Sequence, residues 1–201
     1  MHLLLLDNHD SFTWNLVELL RNTGKVNVNI VTPGQVNLED IGRYDRILFS
    51  PGPGLPAEQP AMFRILEEVE RLFSEGTRVI PVFGVCLGMQ AIAEHYGGKL
   101  FNLPEVVHGQ PRAMKILRPN HFLFRGIQDN ADVGLYHSWA VKLSPLPSSL
   151  DLLAVSGDGN IMALAHKALP VCGVQFHPES VMTPMGAQIL RNWIGDLSHL
   201  A

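Results

Sequence analysis

Apolar runs of strand length and amphipathic stretches of helix length alternate through the first half of the chain: His2 to Leu6, Ser11 to Asn22, Val26 to Val31, Ile47 to Phe49, Ala61 to Phe73, Val79 to Phe83, and Cys86 to Tyr96. Such a rhythm predicts βαβ units. The expected fold class is α/β, an open, mostly parallel central sheet with helices on both faces, in which ligands bind beyond the carboxyl ends of the strands. Three loops fall at such ends: Asp7 to Asp10, Ser50-Pro51-Gly52-Pro53-Gly54, and the turn at Cys86. From about Lys99 the runs become short (Arg112 to Leu117, Val133 to Tyr136, Leu152 to Val155, Ile161 to Ala165, Val171 to Phe176), with Gly157-Asp158-Gly159-Asn160 as a turn signal. They predict a small antiparallel, hairpin-rich extension. A last helix is predicted from Thr183-Pro184 to Leu197, because proline suits a first helical turn and Ile189, Leu190, Trp193 and Leu197 recur on one face.

Composition narrows the function classes. With 201 residues, 46% of them hydrophobic, the chain can form one continuous core, and residues 1–201 are read as one domain. A net charge of -4 without a long Lys/Arg run argues against a nucleic-acid binder. Leu3-Leu4-Leu5-Leu6 is closed by Asp7 and preceded by no basic segment, so it is neither a signal peptide nor a membrane span, and the expected compartment is the cytoplasm. Two cysteines, Cys86 and Cys172, cannot supply a disulfide framework or a four-cysteine zinc site. No spaced cluster completes a metal site around Cys86 and His177.

The candidate chemistry centres on Gly84-Val85-Cys86-Leu87-Gly88-Met89-Gln90, which follows an apolar strand and places a cysteine at a strand-to-helix elbow. The flanking glycines let the chain turn sharply, and the amides opening the next helix favour thiolate over thiol. A lone cysteine after a strand is more often a small buried hydrophobe, and Cys172, within its apolar run, is read that way. Cys86 gains weight from His177-Pro178-Glu179, which ends another strand. In extended backbone, residues two apart share a side, so Glu179 would accept a hydrogen bond from the His177 ring and fix its tautomer. The Gly54 amide, together with that of Leu87, suits a developing oxyanion, although Pro51-Gly52-Pro53-Gly54 also reads as a simple turn. Gln90, four residues after Cys86, shares its helical face and either holds a polar substrate or satisfies backbone groups near the helix start. His95 reads as a charge partner at the helix end.

Together the Gly84 to Gln90, Pro51 to Gly54 and His177 to Glu179 segments resemble, in order and spacing and across essentially the whole chain, the class I glutamine amidotransferases. Asp7-Asn8-His9-Asp10-Ser11-Phe12-Thr13-Trp14-Asn15-Leu16 and Tyr136-His137-Ser138-Trp139 are similar to the glutaminase component (component II) of anthranilate synthase and of aminodeoxychorismate synthase. The resemblance implies that Cys86 attacks the side-chain amide of glutamine, His177 shuttles the proton and Glu179 orients His177. It further implies an oxyanion region of Gly52, Gly54 and Leu87, and glutamine contacts from Gln90, Ser138 and Trp139; without it, the last two read as a half-buried strand end. Met89 departs from the His common in chorismate-pathway members and matches glutaminase domains of GMP synthetases. Those enzymes also carry an ATP-pyrophosphatase domain, for which 201 residues leave no room.

Ammonia is mostly protonated near neutral pH, so a glutaminase feeding a synthesis gains by delivering it directly. The implied partner is a larger chorismate-binding synthase chain that uses Mg²⁺, with no cofactor expected in this chain. Its expected contact surface surrounds the Cys86 mouth, including Asn8 to Asp10 and His108-Gly109. The rival readings are a stand-alone γ-glutamyl hydrolase or peptidase-like enzyme of the same fold, and a catalytically silent regulatory protein.

Overall fold

The computed structural model describes residues 1–24 and 26–195. In chain order the elements are β1 (His2–Leu6), α1 (Thr13–Arg21), β2 (Asn27–Val31), β3 (Arg46–Phe49), α2 (Pro60–Ser74), β4 (Val82–Val85), α3 (Leu87–His95), β5 (Leu100–Ile116), β6 (Ala131–Val141), β7 (Leu150–Ser156), β8 (Ile161–His166), β9 (Val171–Val174) and α4 (Gly186–Ile194). Among the described residues they form a nine-stranded sheet ordered β2-β1-β3-β4-β9-β8-β7-β5-β6.

The first five strands in that order run parallel. Leu3, Leu4, Leu5 and Leu6 are all buried because both faces of β1 are covered. Leu3 and Leu5 join a core with Leu16, Val17 and Leu20 of α1 and Ile189, Leu190 and Trp193 of α4. On the opposite face, Leu4 and Leu6 join Met62, Ile65 and Leu66 of α2 and Leu87, Met89 and Ile92 of α3. Each fully buried leucine contributes about 1.5–3 kcal/mol of transfer free energy. That burial clamps the strands, so the loops at their carboxyl ends leave a rigid base.

The chain leaves β1 toward β2 and returns to its other side at β3, which makes a crevice at the strand-order switch. Asn8, fully buried after β1, closes it: its backbone N–H donates to Ser50 Oγ at 2.9 Å and its Nδ2 to the Ser50 carbonyl at 3.0 Å. Asn8 is therefore a brace between two loops and not part of an exposed contact surface. Of the predicted trio, His9 is exposed and Asp10 half-buried.

The antiparallel extension is larger than the sequence suggests. It comprises β5 to β8 and continues the main sheet, because β8 pairs antiparallel with β9. The 17-residue β5 shifts register twice along β6, so its run of polar and apolar residues shows no single period. The β7–β8 hairpin turns where Gly157-Asp158-Gly159-Asn160 predicts, with Gly159 at φ +84°.

Some boundaries move for identifiable reasons. β4 begins at Val82 and not Val79, because Pro81 has no N–H to donate and Val79 lies in solvent. α4 begins at Gly186 rather than Thr183-Pro184, since Thr183 is held in the preceding turn. The predicted end of that helix at Leu197 lies outside the described residues.

Candidate active site

Cys86 joins β4 to α3. Its backbone stands at φ 51°, ψ −103°, an unusual conformation for a residue with a side chain. Its N–H donates to the Val174 carbonyl at 2.8 Å, and its own carbonyl receives Gln90 N–H at 3.0 Å, the first bond of α3. Strand β9 and helix α3 thus hold the elbow in its strained shape. The two flanking glycines serve close approach and not the turn itself. A Cβ on Gly84 would overlap the Gly88 backbone, and one on Gly88 would come within 2.7 Å of Phe49. Leu87 opens α3, so its N–H is among the first-turn donors without an intrahelical acceptor.

His177 and Glu179 do lie side by side, but for a different reason from strand alternation. β9 ends at Val174, and His177 starts a tight turn in which Ser180 N–H donates to its carbonyl at 3.1 Å. The turn swings the Glu179 carboxylate back, and His177 Nδ1 meets Glu179 Oε1 at 2.6 Å, both side chains buried. The His177 backbone is stitched to β6 through the Gly134 carbonyl at 3.0 Å, and Thr183 Oγ1 donates to the His177 carbonyl at 2.7 Å. Burial alone would strip the ring of its proton. The proximity of Cys86 and the hydrogen bond and charge of Glu179 outweigh it and raise the His177 pKa to about 10. Nδ1 is taken by Glu179, whereas Nε2 is buried without a hydrogen-bond partner among the described residues and is the ring nitrogen left for chemistry.

A cleft of about 170 Å³ opens beside the sulfur, lined by Gly52, Pro53, Gly54, Cys86, Leu87, Gln90, Tyr136, His137, Ser138 and Trp139. It gathers the whole sequence-predicted substrate set. Gly54 sits at φ +78°, and a Cβ on Gly52 would come within 2.7 Å of Asn8 and 2.9 Å of Leu87, so glycine lets the loop close against the start of α3. Ser138 and Trp139 are half-buried within β6 and not at a strand end. Gln90 differs from expectation: its Nε2 donates to the Trp139 carbonyl at 2.8 Å and to Gln175 Oε1 at 3.1 Å. The carboxamide nitrogen is thus spent inside the protein, on a carbonyl of β6 rather than of its own helix.

Several neighbours of the site carry a weaker sequence signal. Gln175 Nε2 lies 3.4 Å from Cys86 Sγ; a fully buried polar residue inside an apolar run is the only hint of it. The Tyr136 ring packs 4.9 Å from that of His177, and Phe12 lies 6.3 Å from it edge-on. His137 Nδ1 bonds the Trp139 carbonyl at 2.8 Å, and burial lowers its pKa against that bond. Asp10 has a raised pKa from burial, opposed by its bond from the Phe12 amide and by His177. Exposed His108 stands edge-on to Tyr136 at 5.3 Å.

Cys172 is buried in the core, which pushes its thiol pKa up. Met89 packs under β9 beside Gly173 and does not line the cleft. His95, closing α3, meets Glu70 at 3.0 Å. Among the described residues, no group of three or more His, Cys, Asp or Glu is placed to hold a metal ion, and no helix is long and apolar enough to cross a membrane.

Comparison with known proteins agrees with this geometry. The profile of the family described as glutamine amidotransferase class-I matches residues 4–197. A Haemophilus influenzae protein described as an anthranilate synthase component II is 44% identical over 200 residues, covering 96% of each chain. The aminodeoxychorismate/anthranilate synthase component 2 of Bacillus subtilis is 37% identical over 194 residues, covering 96% of this chain and 95% of its own. The chain spans only 25% to 50% of three longer multifunctional or bifunctional relatives. A crystal structure from Thermoplasma acidophilum, described as one of the subunits of a GMP synthase, superposes with a TM-score of 0.81 at 25% identity, covering 97% of this chain and 92% of the other. The chain therefore belongs to the class I glutamine amidotransferases, and it is an enzyme of that family.

Proposed function

We propose that this chain is the glutaminase component of a two-part synthase, hydrolysing L-glutamine through a γ-glutamyl thioester on Cys86. The ammonia passes to a chorismate-binding partner that forms anthranilate or 4-amino-4-deoxychorismate. Two observations support the chemistry: Cys86 lines the cleft, and the buried His177 Nδ1 lies 2.6 Å from Glu179 Oε1, with Cys86 among the groups that act on the His177 ring. The partner reading draws support from the names of the Haemophilus influenzae and Bacillus subtilis relatives.

The reaction begins with Cys86 as the nucleophilic thiolate and His177 as the proton donor, a role that its raised pKa suits. The sulfur electron pair attacks the side-chain amide carbon of glutamine, and negative charge moves to the amide oxygen. The N–H groups of Leu87 and Gly54 donate to that oxygen, and the close-set Gly52 shapes the loop that presents the Gly54 N–H. His177 Nε2–H protonates the leaving nitrogen, the C–N bond breaks, and ammonia departs. Water then attacks the thioester while His177 accepts its proton, the C–S bond breaks, and glutamate leaves with the thiolate restored. Glu179 holds the ring in register throughout. Ser138 and Trp139 border the glutamine backbone, and Gln90 keeps the Trp139 carbonyl in place.

The test is glutamine-dependent conversion of chorismate by this chain mixed separately with the large component of an anthranilate synthase and that of an aminodeoxychorismate synthase. Product with one names the pathway, and product with both identifies a component shared between them. Glutamate release without product in either mixture would point to a stand-alone hydrolase.

A further inference from the structure

We propose that Gln175 is a catalytic residue of the glutaminase reaction, a fixed N–H donor to the Cys86 sulfur whose orientation is set through Gln90 by the Trp139 carbonyl. The proposal deepens the functional reading above and rests on Cys86 being the nucleophile.

Gln175 stands just beyond the end of β9, fully buried, with its backbone N–H on the Met162 carbonyl at 2.9 Å. A carboxamide has one accepting and one donating end, and which end faces the sulfur decides its effect. A chain of partners starting from an unambiguous acceptor settles the choice. The Trp139 carbonyl can only accept, so the Gln90 group 2.8 Å from it is the NH₂. That NH₂ also lies 3.1 Å from Gln175, so the Gln175 atom there is the oxygen. The Gln175 nitrogen is then the atom 3.4 Å from Cys86 Sγ. Turning Gln175 over would set two NH₂ groups face to face in a buried site and a carbonyl oxygen against the sulfur, which as a thiolate has no proton to donate.

An N–H donor to sulfur binds a thiolate more strongly than a thiol or a thioester, because the acceptor charge is larger. Gln175 therefore favours the two states in which sulfur holds the electron pair: the resting thiolate, and the thiolate expelled when the thioester is hydrolysed. It transfers no proton. The sulfur pair enters the C–S bond during acylation and returns during deacylation, and the carboxamide responds only to the charge. On the proposed mechanism, His177 moves the protons.

The experiment measures the rate of Cys86 alkylation by iodoacetamide against pH in the wild type, Gln175→Met and Gln175→Glu, with thermal unfolding to check the fold. Methionine fills the space without donating, and glutamate sets an acceptor against the sulfur. The pH midpoint should rise by about one unit in Gln175→Met and further in Gln175→Glu, a tenfold loss of thiolate per unit. Glutaminase kcat should fall roughly 10- to 100-fold with KM changed little. Loss of kcat in folded variants with an unmoved midpoint would reduce Gln175 to a packing residue and overturn the proposal. Should the variants not fold, NMR of the wild type serves: the Gln175 side-chain N–H resonances, assigned through the backbone, should shift as Cys86 ionises. Their constancy would overturn it equally. Failure of a glutamine-like electrophile to label wild-type Cys86 would instead overturn the nucleophile reading.

Discussion

Cys86 occupies φ 51°, where a Cβ crowds the neighbouring backbone and glycine would sit without strain. The proposed nucleophile and the strain coincide at one residue, so on that reading function opposes stability. Replacing Cys86 by Gly or by Ala should abolish glutamine hydrolysis equally, yet the Gly variant should be the more stable by about 1 kcal/mol. Denaturant unfolding of the two variants checks this, and an Ala variant at least as stable as Gly would mean the elbow stores no strain. The His177–Glu179 pair makes a prediction in pH. A histidine whose folded pKa lies above its unfolded value gives stability that is fully present below about pH 6.5 and is lost as pH climbs toward about 10. Glu179→Gln removes one source of that shift, so its unfolding free energy should fall less between pH 6 and pH 9 than that of the wild type. The same variant should lower kcat/KM by roughly 10²- to 10⁴-fold, less than loss of Cys86 or His177. At this scale much of the candidate site was legible in the sequence. Residue type and position after a strand single out Cys86, His177 and Glu179. Gln175 escapes because its proposed role depends on a contact between residues 89 positions apart, which no local spacing encodes.

The elements that present these residues approach unusually closely, and small side chains permit it. Gly173 of β9 would, with a Cβ, stand 2.8 Å from the Gly84 carbonyl and 2.9 Å from the Met89 Cβ. This packing gives Met89 its role: a long, flexible apolar side chain fills the space between α3 and β9. The start of α4 is set by the same constraint. Gly186 lies where any Cβ would overlap the Pro178 carbonyl, so α4 can begin only with glycine against the His177-Pro178-Glu179 turn. Gly186→Ala should push that turn away, costing about 1–3 kcal/mol of stability and lowering glutaminase activity by displacing Glu179 from His177. Unfolding together with kcat would test this, and a variant with unchanged kcat would mean that the turn is free to move. A sequence pattern reads a run's identity better than its ends. Pro81 and Thr183 each moved a boundary, the first through a missing donor and the second through its place in the preceding turn, where its N–H donates to the Ser180 carbonyl. The alternation argument for Glu179 reached the right neighbour by the wrong backbone, since a turn and an extended strand both return residue i+2 to the side of residue i.

Across the whole molecule, the parallel half of the sheet was legible because βαβ units repeat a local signal. The antiparallel half was underestimated because β5 pairs with both β6 and β7 and shifts register along the way. That half supplies Tyr136 to Trp139, one wall of the cleft, so the site exists only where the two halves meet. Apolar side chains close in sequence to the loops of the candidate site are exposed. Phe12 is 40% exposed against the Tyr136 and His177 rings, Trp14 at the start of α1 is 64% exposed, and Val181, two residues beyond Glu179, is 91% exposed. Exposed aromatic and aliphatic side chains beside a polar cleft suit an interface through which ammonia passes without meeting bulk water. The proposed synthase partner would bury them, and a central tryptophan commonly carries a large share of such binding energy. Trp14→Ser combined with Val181→Ser should weaken association with the large component by roughly 10- to 100-fold, measured by titration calorimetry. Neither side chain lines the cleft, so Cys86 alkylation and glutaminase activity of the isolated chain should stay as in the wild type. Undiminished binding would move the partner to another face of the protein, and the ammonia route with it.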